Sequence, residues 1–307
     1  MRRCPSGWNY GRSSSSAVSP DVCTSPWLKR TALSFTAAKS AASKQVKNSA
    51  AAFLHRLLRQ HRCIVAADVN AEIARRPLLL NAIQESGNVK KISVIAARTT
   101  SWQANCVRRL VVSRRDTLEE VAVDCGCAEN FARRVLANVV RDDGYILHVK
   151  TLDLSQANMN QLSAQKLISG LGKNKAIKEL TVDNSIVTCG LQNAGEDFTR
   201  YLRLRKPKLN KLNITQTRNC RSLALKSLTA AVTRLNYLEE VNVYVWTMAS
   251  KLTEKFSLVA QKCALRALRI ERKTSNGEFM TDAEQPITRW LQALRTSTTL
   301  QELMIHL

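Results

Sequence analysis

Residues able to do chemistry are few and scattered. The four histidines are His55, His61, His148 and His306, and only His55 and His61 lie near each other in the chain. Nucleophilic and general acid–base catalysis need a base within hydrogen-bond reach of the reacting group, and this spacing offers no such pair. Neither G-x-S-x-G nor G-x-x-x-x-G-K-[ST] occurs. Nine cysteines include Cys125-x-Cys127 and His61-x-Cys63 but no C-x-x-C, so a zinc site is unsupported. They fit small buried hydrophobes kept reduced, which points to a cytoplasmic protein. The sequence therefore predicts no enzyme, cofactor or metal. The chemistry left is recognition by charged and polar side chains at regular spacing.

The elements that set this spacing are clearest from Val149 to Val182, VKTLDLSQANMNQLSAQKLISGLGKNKAIKELTV. Val149, Leu152 and Leu154 mark a short strand with Asp153 pointing the other way. Ala164, Leu167 and Leu171 form one stripe of a helix. The strand pattern restarts at Ile177, Leu180 and Val182. Neither piece can bury its apolar face alone, so the unit makes sense only when stacked.

The same frame recurs along the chain. The other strand signatures are Ile64, Ala67, Val69; Val89, Ile92, Val94; Leu118, Val121, Val123; Leu209, Leu212, Ile214; Leu238, Val241, Val243; Leu265, Leu268, Ile270; and Leu300, Leu303, Ile305. Their starts are 25 to 35 residues apart and average about 30, which leaves room for a whole helix in each unit. Amphipathic segments fill the intervals: Phe131, Val135, Leu136 and Val139; Phe198 and Leu202; Leu225, Leu228, Val232 and Leu235; Leu252, Phe256 and Val259; and Ile287, Trp290, Leu291 and Leu294.

The N-terminal stretch differs. Residues 1–50 are Ser- and Ala-rich and carry eight bases against Asp21 alone, which predicts a disordered basic tail, a composition that also suits a mitochondrial transit peptide. Residues 51–60 are expected to form a capping helix with Phe53, Leu54, Leu57 and Leu58 on one side. Residues 61–307 form the repeat domain of about nine strand units. The chain stops at Leu307 inside a strand signature, which predicts a fragment of a longer repeat protein or an exposed last sheet edge. No apolar run approaches the roughly 18 residues needed to span a bilayer, so no membrane partner is expected.

LDLSQANMNQLSAQKLISGLGKNKAIKEL resembles the leucine-rich repeat of ribonuclease-inhibitor type, also found in the sensor regions of NOD-like receptors. The resemblance runs from about Ile64 to the C-terminus. It implies an α/β solenoid, a horseshoe with a parallel sheet on the concave face and helices on the convex face. It also implies inhibitor-like binding or the sensor part of a larger receptor. The family often places Asn or Cys three residues after the third apolar position. Here those positions read Glu72, Ala97, Gly126, Ala157, Ser185, Thr217, Trp246 and Lys273. Without an asparagine ladder the turns on that edge are expected to be irregular, with neighbours such as Asn158 in its place.

The register names the residues facing away from the helices. Their acids are Asp68, Glu120, Asp124, Asp153, Glu179, Asp183, Glu240, Glu271 and Glu302, and their bases are Lys91, Lys211 and Arg269. This acidic balance sits within a chain of net charge +23 and pI about 10.1. A nucleic acid lying along the sheet would set its phosphates against carboxylates. The expectation is a non-catalytic protein-interaction scaffold that binds a basic protein through Glu120, Asp124, Asp153, Glu179, Asp183, Asn213, Glu240, Tyr244 and Arg269. The excess positive charge falls on the tail, helices and loops, for instance Arg108–Arg115 and the loop RYLRLRKPKLNK. An alternative is therefore a basic RNA-associated protein that binds through loops and tail. Against it, aromatics make up only 5% of the chain and do not alternate with the basic runs. A substrate-recognition subunit of a ubiquitin ligase belongs to the scaffold class too, but residues 1–60 show no recognisable adaptor-binding box.

Overall fold

A computed structural model of the protein describes residues 31–33, 44–95, 100–124, 148–157, 159–188, 196–204, 209–216, 229, 232–233, 235, 237–245, 256–257, 259–260, 265–272, 291–292 and 294–306. The apolar triplets build one parallel sheet whose ten strands lie in chain order. Nine of these strands are the expected ones: β2 (Ile64–Val69), β3 (Lys91–Ile95), β4 (Glu120–Asp124), β5 (Thr151–Gln156), β6 (Glu179–Asp183), β7 (Lys211–Thr215), β8 (Glu240–Val245), β9 (Ala267–Arg272) and β10 (Glu302–His306). Their second apolar positions stand side by side as Ala67, Ile92, Val121, Leu152, Leu180, Leu212, Val241, Leu268 and Leu303. The frame read from the sequence is thus the register of the sheet. A slip by one residue would turn every apolar side chain to the other face, which is why the frame fixes the pairing. An irregularity between β4 and β5 sets Asp124 opposite Gln156.

Parallel neighbours need a crossover, and among the described residues helices supply it between β1 (Thr31–Leu33) and β2, β2 and β3, β3 and β4, β5 and β6, and β6 and β7. These helices are α1 (Lys44–Gln60), α2 (Ala71–Ala74), α3 (Pro77–Glu85), α4 (Ser101–Ser113), α5 (Gln161–Leu171), α6 (Asn184–Val187) and α7 (Glu196–Leu204). Their buried side chains and the inward strand residues form one core cluster. Alternate strand residues in β3, β4 and β5 remain half-exposed, so the described helices cover one face of the sheet. Val89, Leu118, Val149, Leu209 and Leu265, the first positions of five triplets, are wholly buried. So are Leu202, Val232, Phe256 and Val259 from the expected helical stripes, with Phe198 and Leu235 nearly so. Phe131, Val135, Leu136, Val139, Leu225, Leu228, Leu252, Ile287 and Trp290 lie outside the described residues.

Several boundaries differ from expectation. The stretch read as a tail contains a short first strand, β1 (Thr31–Leu33), paired parallel to β2, and α1 begins at Lys44 rather than residue 51. Phe53 is 56% exposed because the buried stripe of α1 is Ala51, Leu54 and Leu58; at 3.6 residues per turn Phe53 sits about 130° round the helix from its centre. Leu291 and Leu294 are exposed, since β10 is the last strand of the sheet and the segment before it has a neighbour on one side only. Of the basic stretch read as a loop, Arg200–Leu204 continues α7, where Arg200 meets Glu196 at 3.4 Å.

Side chains also tie each unit to the one before. The Arg114 guanidinium is buried and donates to the carbonyls of Val89 (2.6 Å), just before β3, and Gln84 (3.4 Å), in the last turn of α3. The Tyr237 hydroxyl donates to the Leu202 carbonyl in the last turn of α7 at 2.9 Å, and burial pushes its pKa up to about 12. Gln103 completes a capping box with Thr100 and reaches back to the Ala71 carbonyl at 3.2 Å. Where an asparagine ladder is missing, Ser185 Oγ accepts the Met159 N–H at 2.8 Å. Asn158 lies outside the described residues.

The core position makes a direct test. Leu180 is wholly buried between two strand neighbours, whereas Leu303 is only partly buried beside one. Leu180→Ala should cost about 2–5 kcal/mol in urea unfolding. Leu303→Ala should cost visibly less; equal costs would contradict the packing described.

Candidate functional site

The sheet face away from the helices carries three polar rows, and backbone geometry creates them. Strands about 4.8 Å apart bring equivalent side chains of neighbouring units into contact range. The residue just before each strand donates its N–H to the equivalent carbonyl of the previous unit, as Glu119 does to Lys90, Lys150 to Glu119, Lys178 to Lys150 and Arg266 to Glu239. These residues form the first row along the N-terminal ends of the strands. Within it Glu119 lies between Lys90 (2.7 Å) and Lys150 (3.0 Å), whose hydrogen bonds hold its carboxyl down at about 2. Arg266 meets Glu239 at 3.9 Å and Gln301 at 3.3 Å.

The second row starts each strand. Lys91 pairs with Glu120, and Lys211 bridges Glu179 (3.4 Å) and Glu240 (3.3 Å). Partial burial lowers the Lys211 pKa, but the two carboxylates outweigh it and the net shift is upward. The third row is amide and guanidinium. Asn213 Nδ2 donates to Glu179 Oε1 (3.2 Å) and Thr181 Oγ1 (3.0 Å), and Asn242 Nδ2 donates to Asn213 Oδ1 (2.7 Å) and Glu240 Oε1 (2.8 Å). Arg269 grips Glu302 with Nε at 2.9 Å and Nη2 at 2.6 Å, contacts that raise its pKa. Tyr244 is half-buried; burial and then Glu271 raise its phenol pKa.

Across β5 to β10 the first two rows line a groove of about 850 Å³. Its bases are Lys150, Lys178, Lys211 and Arg266, and its acids are Glu179, Glu239, Glu240 and Glu302. The acidic strip expected from the register is thus a mosaic of both signs. Lys178 is exposed and has no carboxylate partner among the described residues.

The expected site residues fare differently. Glu120, Glu179, Glu240 and Arg269 stand on this face, all in ion pairs. Asn213 is on it too, but buried in the amide network. Asp153 is half-exposed, with Oδ1 accepting the Ser155 N–H at 2.8 Å. Asp124 is half-exposed at the irregular pairing with β5. Asp183 must be withdrawn as a contact residue: it is wholly buried and caps α6, accepting the Ser185 N–H at 2.6 Å. Sequence reasoning missed Lys90, Lys150, Lys178, Glu239 and Arg266. Their signal was the position before each strand, which the strand alternation does not count. Among the described residues no group of three or more His, Cys, Asp or Glu side chains is placed to hold a metal ion, and no described helix is long and apolar enough to cross a membrane. No family model matches the chain, and no curated protein matches it.

Two measurements probe these rows. A carboxyl lowered to about 2 adds stability that is present above its unfolded pKa of about 4.3 and is lost as pH falls toward 2. Carbon-detected NMR titration should place Glu119 near 2, and Glu119→Gln should flatten the acid limb of stability between about pH 4 and 2. Lys211→Met leaves Glu179 and Glu240 without their shared ammonium. It should cost about 1 kcal/mol in urea unfolding at low salt and less at high salt, which screens the ion pairs; a salt-independent cost would assign the loss to packing alone.

Proposed function

We propose that the chain is a leucine-rich-repeat solenoid of ribonuclease-inhibitor type, with the sheet on its concave face and the helices on its convex face, and that it serves as a non-catalytic scaffold for another protein. The nine-strand register and unit length of about 30 residues support the fold. The observation that carries the function is the groove over β5–β10, part of whose lining is already fixed by the Glu179–Lys211–Glu240 contacts. Side chains held in place before binding lose little conformational freedom on association. A groove that mixes four acids with four bases suits a protein segment carrying both signs better than a polyanion, whose phosphates would meet Glu179, Glu239, Glu240 and Glu302. Basic side chains of the partner would meet these carboxylates, and an acid would meet Lys178. Such contacts mainly set orientation and on-rate.

The test is affinity capture with the whole chain from nuclease-treated lysate at low and high salt. A set of proteins should be retained after nuclease and lost with the charge reversals Glu179→Lys, Glu239→Lys and Glu302→Lys combined. Retention by that variant, or loss of all partners on nuclease treatment, would sink this reading.

A further inference from the structure

The helix side of the first units carries a different chemistry. α1, α3 and α4 contain one carboxylate between them, Glu85, and it is bridged to Arg59 at 3.7 Å. Arg56 on α1, Arg75 just before α3 and Arg109 on α4 are exposed. Among these arginines three large apolar side chains project into solvent: Phe53 at 56%, Leu78 at 45% and Trp102 at 55% exposure. α3 packs against both α1 and α4. Arg76 Nη1 reaches Asn48 Oδ1 at 3.2 Å near the start of α3, and the Arg59–Glu85 pair joins the far ends of α1 and α3. Phe53 sits between these two levels. Gln103 Nε2 on the Ala71 carbonyl sets the start of α4, with Trp102, beside α2. One surface of three neighbouring helices thus combines protruding rings with guanidinium groups.

The kind of partner follows from shape and charge. A docked amphipathic helix would seat its own apolar residues in a groove, whereas here the apolar groups stand out from the surface. A lipid surface selects a continuous apolar side, whereas here Arg56 lies one turn from Phe53 and Arg109 two turns from Trp102. Rings interspersed with arginines match a strand whose flat bases stack on aromatics and whose phosphates take the guanidinium fork. We propose that the outer surface of α1, α3 and α4 binds single-stranded nucleic acid, at a site independent of the sheet-face groove. The aromatic–basic combination that no stretch of sequence contains is assembled here from separate helices.

Fluorescence anisotropy of the full chain with a labelled single-stranded RNA of about 20 nucleotides tests this. Trp102→Ala with Phe53→Ala should weaken binding at least about tenfold and leave the salt dependence unchanged. Arg56→Glu with Arg109→Glu should weaken it similarly and lower the slope of log affinity against log salt by about 1.4. Glu179→Lys, on the other face, should not weaken it. All four substituted side chains on the helices are exposed or half-exposed, and Trp102→Ala alone serves if a double variant loses its circular dichroism spectrum. Three results would overturn the proposal: no RNA binding by the unmodified chain, unchanged affinity in both helix-face variants, or co-sedimentation with phosphatidylserine vesicles in place of RNA binding.

Discussion

Everything in this structure depends on stacking. A unit of about 30 residues offers a strand with three apolar positions and a helix with one apolar stripe, too little to form a core alone. Burial is complete only when the triplet of one unit lies beside the triplet of the next, and the parallel backbone ladder then falls into register with it. Leu152, Leu154, Leu180, Val182, Leu212 and Ile214 are wholly buried for this reason. The requirement repeats at each junction, so the frame can tolerate weak units such as the one with Ala67.

Polar side chains complete the stacking in several ways. Where one repeated residue could satisfy the same backbone groups in every unit, this chain uses Arg114 and Gln103 at one junction, Ser185 at another and Tyr237 at a third. Each supplies a partner for a backbone group at a helix end or turn, where an unpaired group would be expensive. The outcome is a regular sheet joined by unlike connections.

Stacking also sorts the charge. Equivalent positions of successive units meet side by side, so the sheet face becomes a set of short ion-pair rows, Lys90–Glu119–Lys150 and Glu179–Lys211–Glu240 among them. The helices of the first units carry mainly arginine. A single net charge of +23 thus conceals a balanced face and a basic face, and the two favour different classes of partner.

The sequence by itself determined nine of the ten strands, their register and the inward residues. Alternation along a strand and the unit period are local properties, and burial of apolar side chains enforces both. It also named Glu120, Glu179, Glu240 and Arg269 as residues of one face. Only the tertiary structure decided what those residues do there. Their partners come from units about 30 residues away, so Lys211 between two glutamates and Asn242 on Asn213 cannot be read along the chain. The same holds for Asp183, a surface acid by alternation that becomes a buried cap because α6 starts directly after it. Phe53 and Trp102, isolated in sequence, are exposed on two helices that both pack against α3. Local pattern fixes which way a side chain points; which groups it meets is set by the units that stack on either side.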